Sequence, residues 1–171
     1  MKKIIKFTTF SLLVVSLSLL STSCKKNADK PAVTNTAVIK LNGAQPPVDS
    51  VTVTVHVNNS AINTIYITAH LNHSTSAVCD IQFYFSPSDP LYATGAVIDF
   101  ASTHYAELMY RNGSTYYDNY MQPSHSGTIT ITKNDVAARR IEGAISNCLA
   151  TANGSNTVTI DGSFGVTYPA Q

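Results

Sequence analysis

The chain contains no tryptophan, and only 12% of its 171 residues are charged. Without indole rings a sugar-stacking surface lacks its broadest platform, which weakens a glycan-binding reading. Cations are scarce beyond the N-terminus. From Thr36 onward the basic residues are Lys40, Arg111, Lys133, Arg139 and Arg140, against nine carboxylates, for a net charge of −4. A mildly acidic domain with scattered cations argues against nucleic acid as a partner. The chain also lacks G-x-S-x-G, H-E-x-x-H and P-loop motifs, so no catalytic residue and no cofactor is expected. Helical periodicity is missing too. Asp135–Arg140 could form one helical turn, too short to pack.

Long apolar runs are absent with one exception, Phe7 to Leu20, broken only by Thr8, Thr9, Ser11, Ser16 and Ser18. A bilayer span needs about 20 apolar residues. Lys2, Lys3 and Lys6 precede this shorter run. Ser21, Thr22 and Ser23 follow it, directly before Cys24. A basic flank, a short apolar stretch and small residues at a cleavage point describe a secretory signal. A thiol at that point can be acylated and become the mature N-terminus. The signal is expected over residues 1–23 and a polar tether over 24–35, containing Pro31. A single domain is expected over 36–171.

Ser21-Thr22-Ser23-Cys24 resembles the lipobox of bacterial lipoproteins, as found in the Bacteroidota. Ser21 stands where that pattern favours an aliphatic residue. The resemblance implies lipidation of Cys24, export, and attachment to a membrane, most naturally the outer membrane, on its periplasmic or surface side. An acidic cluster after the cysteine directs some such lipoproteins to the surface. Here Lys25, Lys26, Asn27, Ala28 and Asp29 supply one acid.

The domain reads with a period of two. Val51, Val53, Val55 and Val57 share one face, with Thr52, Thr54 and His56 on the other. Ile65, Ile67, Ala69 and Leu71 alternate with Tyr66, Thr68 and His70, and Cys79, Ile81, Phe83 and Phe85 continue the pattern. Such alternation of β-branched and aromatic residues predicts half-buried strands. Asn42-Gly43, Asn112-Gly113 and Asn153-Gly154 mark turns. Further strands are expected at Ala37–Leu41, Ala96–Phe100, His104–Arg111, Ser114–Met121, Thr128–Lys133, Arg140–Ile145, Thr157–Ile160 and Phe164–Tyr168, with a loop over Ser86–Gly95. The sum is an all-β fold, one antiparallel sandwich or barrel of about ten short strands. The segments Gly127–Ser146 and Asn156–Tyr168 resemble a pattern in small Bacteroidota lipoproteins of unknown function. Gly127, Ile129, Ile131, Asp135, Ile141, Gly143, Val158, Ile160, Gly162, Phe164 and Val166 carry the match. Ala144, Ile145 and Asn147 depart from it. The resemblance implies a β-rich exported domain and supplies no catalytic residues.

Four groups of residues could bear on function. Tyr105, Tyr110, Tyr116, Tyr117 and Tyr120 fall within one proposed hairpin. Their flat apolar faces and hydroxyls suit a protein or glycan partner; alternatively, half point into the core and the rest cover a sheet edge. Asp49-Ser50-Val51, after Pro46-Pro47, resembles the O-glycosylation sequon of Bacteroidota exported proteins, with Ser50 as acceptor.

Five histidines stand at positions 56, 70, 73, 104 and 125. His70 and His73, three apart on a strand, are expected on opposite faces. A hairpin pairing His56 with Thr64 would leave His70 about 20 Å from His56. No metal site is therefore expected. Cys79 has core parity, while Cys148 follows Ile145 by three and would face outward unless a bulge, expected at Gly143, shifts the register. An exported compartment permits a Cys79–Cys148 disulfide; buried free thiols are the other reading. The functional expectation is a lipid-anchored envelope protein that binds or supports others. The rival is a small hydrolase or a ligand-carrying barrel.

Overall fold

The computed structural model describes residues 34–58, 61–84, 86–102, 105–119, 126–152 and 156–170. Cys24, the signal and most of the tether lie outside them. Ten antiparallel strands form one sheet: β1 Thr36–Leu41, β2 Val48–Asn58, β3 Ala61–Leu71, β4 Ala77–Phe83, β5 Val97–Asp99, β6 Ala106–Asn112, β7 Thr115–Asp118, β8 Thr128–Asp135, β9 Arg140–Ala152 and β10 Asn156–Thr167. The sheet runs β1-β10-β9-β7-β6-β4-β3-β2, with β8 and β5 extending from β9, and is nearly closed into a barrel. The barrel side of the expected choice is the one observed.

Alternation explains most of this layout. Ile65, Ile67, Ala69 and Leu71 on β3, Cys79, Ile81 and Phe83 on β4, and Ala106, Leu108 and Tyr110 on β6 are all buried. Their neighbours Tyr66, Thr68, Asp80, Gln82 and Glu107 are half-buried on the outer face. Full burial of each aliphatic or aromatic side chain contributes about 1.5–3 kcal/mol. The register places His56 opposite Thr64, as the expected hairpin pairs them. The Asn42-Gly43 turn has φ of 49° and 81°, and Leu41 and Ala44 exchange two backbone hydrogen bonds of 2.7 and 3.0 Å across it. Positive φ at both central residues is what a two-residue hairpin turn requires.

Three local expectations are corrected. Thr157–Ile160 and Phe164–Tyr168 belong mainly to one strand, β10, joined through Asp161 and Gly162. Asp135–Arg140 closes a tight β8–β9 turn instead of a helical one, with Ala138 N donating to the Asp135 carboxylate at 2.9 Å and Arg139 at φ 55°.

The parity shift before Cys148 is real but lies at Ser146–Asn147, not Gly143. There the β9–β10 register slips between Ile160 and Gly162, Asn147 adopts φ 52°, and its N–H donates to Asp161 at 2.7 Å. The two exposed residues in succession let Cys148, Ala150 and Ala152 rejoin the core. Gly143 has another reason to be glycine. A Cβ there would stand 2.5 Å from Cζ of Phe164, so the ring packs against bare backbone.

The predicted 86–95 loop delivers part of the core. A 3-10 turn, Pro90–Tyr92, is capped by Asp89, whose side chain accepts from Leu91 N at 2.9 Å. Tyr92 is buried, with its ring 5.4 Å edge-on from Phe83 and its hydroxyl donating to Tyr105 O at 2.7 Å. Asn134 pins the same loop, donating from Nδ2 to Pro87 O at 2.6 Å and Tyr92 O at 2.9 Å.

Candidate functional site

At one end of the barrel, β2 begins with a bulge. Val48 pairs with Leu71 and Ser50 with His70, leaving Asp49 as the extra residue. Beyond Leu71 the chain turns through Asn72 and His73, at φ 56° and 52°, and Ser74 N donates back to Leu71 O at 3.1 Å. Two successive non-glycine residues in the left-handed region are costly unless held from outside. Asp49 holds this turn. One carboxylate oxygen accepts from His73 N at 2.5 Å, and the other lies 2.6 Å from His73 Nδ1. Asn72 N donates to Pro47 O at 3.1 Å, a further tie to the same segment.

Asp49, Ser50, His70, His73, Ser74 and Thr75 line an open cleft of about 230 Å³. A second cleft, of about 170 Å³, lies between Asn35–Ala37 and Val48–Val51. The Asp49-Ser50 pair forms part of both. His70 and His73 thus meet at one cleft, against the expectation that they face apart. Strand parity does not apply across the turn that separates them.

A carboxylate only accepts, so Nδ1 of His73 carries a proton in this contact. This is half of a Ser-His-Asp relay in outline. The other half is missing. The Ser74 hydroxyl is engaged with that of Ser76 at 2.9 Å, and no hydrogen bond links Ser50 to His73 among the described residues. The His73 side chain is 83% exposed against 21% for Asp49, so water screens the dyad and the site suits contact with a solute or partner better than proton relay. Among the described residues no group of three or more His, Cys, Asp or Glu side chains is arranged to hold a metal ion.

The four described tyrosines do not share a surface. Tyr110 and Tyr117 face each other across β6–β7 with ring centres 5.6 Å apart, stacked and turned to the core, and burial pushes the Tyr110 hydroxyl above its ordinary pKa. Tyr105 is half-buried beneath the 86–95 loop. Tyr116 alone among the four described is exposed, under the Arg111 guanidinium at 5.9 Å. Tyr120 lies outside the described residues. Of the four described, Tyr110 and Tyr117 pack on the core and Tyr116 is exposed on β7, which lies inside the sheet between β6 and β9.

Cys79 and Cys148 are both buried free thiols. The bond expected between them is not formed in this structure. Cys148 Sγ instead donates to Thr128 O at 3.6 Å and Ser146 O at 3.7 Å. Asn119, unremarked in the sequence, is the buried polar side chain that joins β6 to the end of β7. Its Oδ1 accepts from Leu108 N at 2.9 Å. The sequence offers no signal for it, nor for the Asp49–His73 clasp, because both pair residues distant along the chain.

No helix among the described residues is long and apolar enough to cross a membrane. Comparison with protein-family models, with curated proteins and with solved structures finds no match.

Proposed function

We propose that this chain is a lipid-anchored cell-envelope protein, held to a membrane through Cys24, whose β domain serves as a binding or structural module. The observation that carries the reading is the N-terminal order of Lys2, Lys3 and Lys6, a short apolar run, Ser21-Thr22-Ser23 and Cys24. One short acyl chain binds a membrane marginally, whereas two or three hold firmly. The outer membrane is the proposed site and a protein or glycan the proposed partner class.

The domain supports a module over a ligand carrier. The inward positions of the strands are filled by Ile39, Leu71, Ile81, Leu108, Ile131 and Ile160, all with essentially no exposure, as in small barrels whose interior side chains fill the space. The clefts described above open at the surface around Asp49 and Ser50. Replacing Cys24 by serine tests the anchor. Cys24→Ser should leave an uncleaved or soluble product that no longer partitions into detergent. A variant that still takes up labelled fatty acid and still fractionates with membranes would remove the anchor from the reading.

A further inference from the structure

Among the described residues the sheet ends at β2, whose backbone pairs on one side only, with β3. On its other side Asn35–Ala37 flank Val48–Val51 across the smaller cleft. Past Val51 no strand pairs with that edge among the described residues. Natural edges are usually blunted by lysine, proline, inward charge or bulges. The segment Val51–Val57 (VTVTVHV) has no proline, carboxylate, lysine or arginine. Its register with β3 is even from Ser50 to His56, with irregularities only beyond those two residues. Val57 is 50% exposed, and Thr52, Thr54 and His56 are exposed.

We infer that this edge docks on the same edge of a second copy of the chain, β2 against β2 in antiparallel order about a two-fold axis. The occupant follows from the strand's self-complementarity. A two-fold pairing centred on Thr54 sets Val51 against Val57, Val53 against Val55, Thr52 against His56, and Thr54 against itself. All four valines meet valines on the inner face. A shift of one residue sets every valine against a polar residue, threonine or histidine for three of them and Ser50 or Asn58 for the fourth, because side-chain period is two. Valine pairs and threonine pairs are favourable cross-strand neighbours, and like charges directly opposite are not. The charge pattern agrees with this choice. The domain from Thr36 onward carries −4, so two copies repel through their net charge. This strip is a neutral window, and the nearby Asp49 carboxylate is tied to His73.

The strip limits the strength of the contact. Seven residues at about 3.4 Å each give an edge of about 24 Å. An interface one strand deep and that long falls at or below the about 1,200 Å² of standard complexes. The dimer is therefore a weak, exchanging one, and a covalent trap is the suitable probe.

Centred pairing brings the two Thr54 Cα atoms to about 4.5–5.5 Å, inside the range that a disulfide bridges. Full-length Thr54→Cys, expressed in cells, treated with a mild oxidant and denatured without reductant, should run as a dimer of its own mass. Ser163→Cys, an exposed position on β10, measures random collision. The Thr54 variant should cross-link several-fold more, and Thr54→Cys combined with Val53→Lys should lose that excess. Thr52→Cys alone should stay at the collision level, while Thr52→Cys with His56→Cys should cross-link. Cross-linking of Thr54→Cys no greater than that of Ser163→Cys overturns the proposal. So does capture of a partner of different mass, which would assign the edge to a foreign strand.

Discussion

The Asp49 carboxylate grips His73 twice, through the backbone N–H at 2.5 Å and the ring Nδ1 at 2.6 Å. The acceptor is the bulged residue of β2 and the donor sits at φ 52° in the β3–β4 turn, so one side chain stabilises two irregularities. Removing it should be felt in folding, since a hydrogen bond to a charged group contributes about 1.5–3 kcal/mol and solvent exposure lowers that. Asp49→Ala is expected to lower stability by about 1–2 kcal/mol in urea unfolding of unglycosylated protein. His73→Gly relieves the left-handed strain and should cost less than Asp49→Ala. A double-mutant cycle giving no coupling would show the clasp to be incidental.

Ser50 lies beside that clasp, exposed and part of both clefts. A bulge at Asp49 interrupts pairing next to it, which suits an acceptor hydroxyl better than mid-strand would. In the native host the intact mass of wild-type protein should exceed that of Ser50→Ala by a glycan, far more than one oxygen. A difference of one oxygen alone would leave Asp49-Ser50-Val51 a chance match.

Strand identity was legible because half-buried strands in this barrel alternate cleanly. Val51–Val57 and Ile65–Leu71 show the period directly, and a short hairpin between them pairs His56 with Thr64. What defeated the pattern was every place where the period breaks. Asn147 shifts β9 by one residue through its own left-handed backbone, so Cys148 could be placed inward only by assuming a bulge, and Gly143 was the wrong residue to hold it. The turn at Asn72-His73 carries no glycine, and asparagine with histidine marks positive φ more weakly than Asn-Gly does. Of the candidate site, the sequence marks Ser50 alone as a site residue. Strand parity puts His70 on the face away from His73, but it says nothing about a side chain beyond a turn.

Gly162 provides a direct test of the β1–β10 seam. Its φ is 152°, and a Cβ there would sit 1.9 Å from the Val38 carbonyl oxygen. The obstacle is backbone, so no rotamer change relieves it. Gly162→Ala should destabilise by about 2–3 kcal/mol or force β1 to move, as overpacking and strained backbone do. Gly143→Ala meets the Phe164 ring edge first, with the Thr130 carbonyl oxygen farther off at 3.1 Å, and should cost less, because Phe164 can tilt. Thermal unfolding of the two variants would rank them; the reverse order would contradict the packing described here.

The two core thiols make stability fall at alkaline pH. Burial, then Asp80 and Cys148, raise the Cys79 thiol well above its ordinary value of 9.0. Burial is the largest influence on Cys148 and pushes it up to about 12, with Asp161 adding to the rise and backbone hydrogen bonding at Ser146 and Thr128 opposing it. The folded chain therefore keeps both protons where the unfolded chain releases them. Below pH 9 neither state loses a proton and the stabilisation is fully present. Above pH 9 the unfolded state binds fewer protons, so stability declines with rising pH, by about 1.4 kcal/mol per pH unit for each thiol. The Cys148 share of that decline ends near pH 12. Cys79→Ala with Cys148→Ala should flatten the decline between pH 9 and 11, although its stability at pH 7 will be lower because of the lost packing. Native wild-type protein should also resist alkylation at both positions until it is unfolded. Protein recovered from the envelope adds the decisive comparison. Thiols at 79 and 148 that label after denaturation without reductant match the structure and keep the alkaline slope. No labelling there would mean that export had joined them, and the slope should then be absent until a reductant is added.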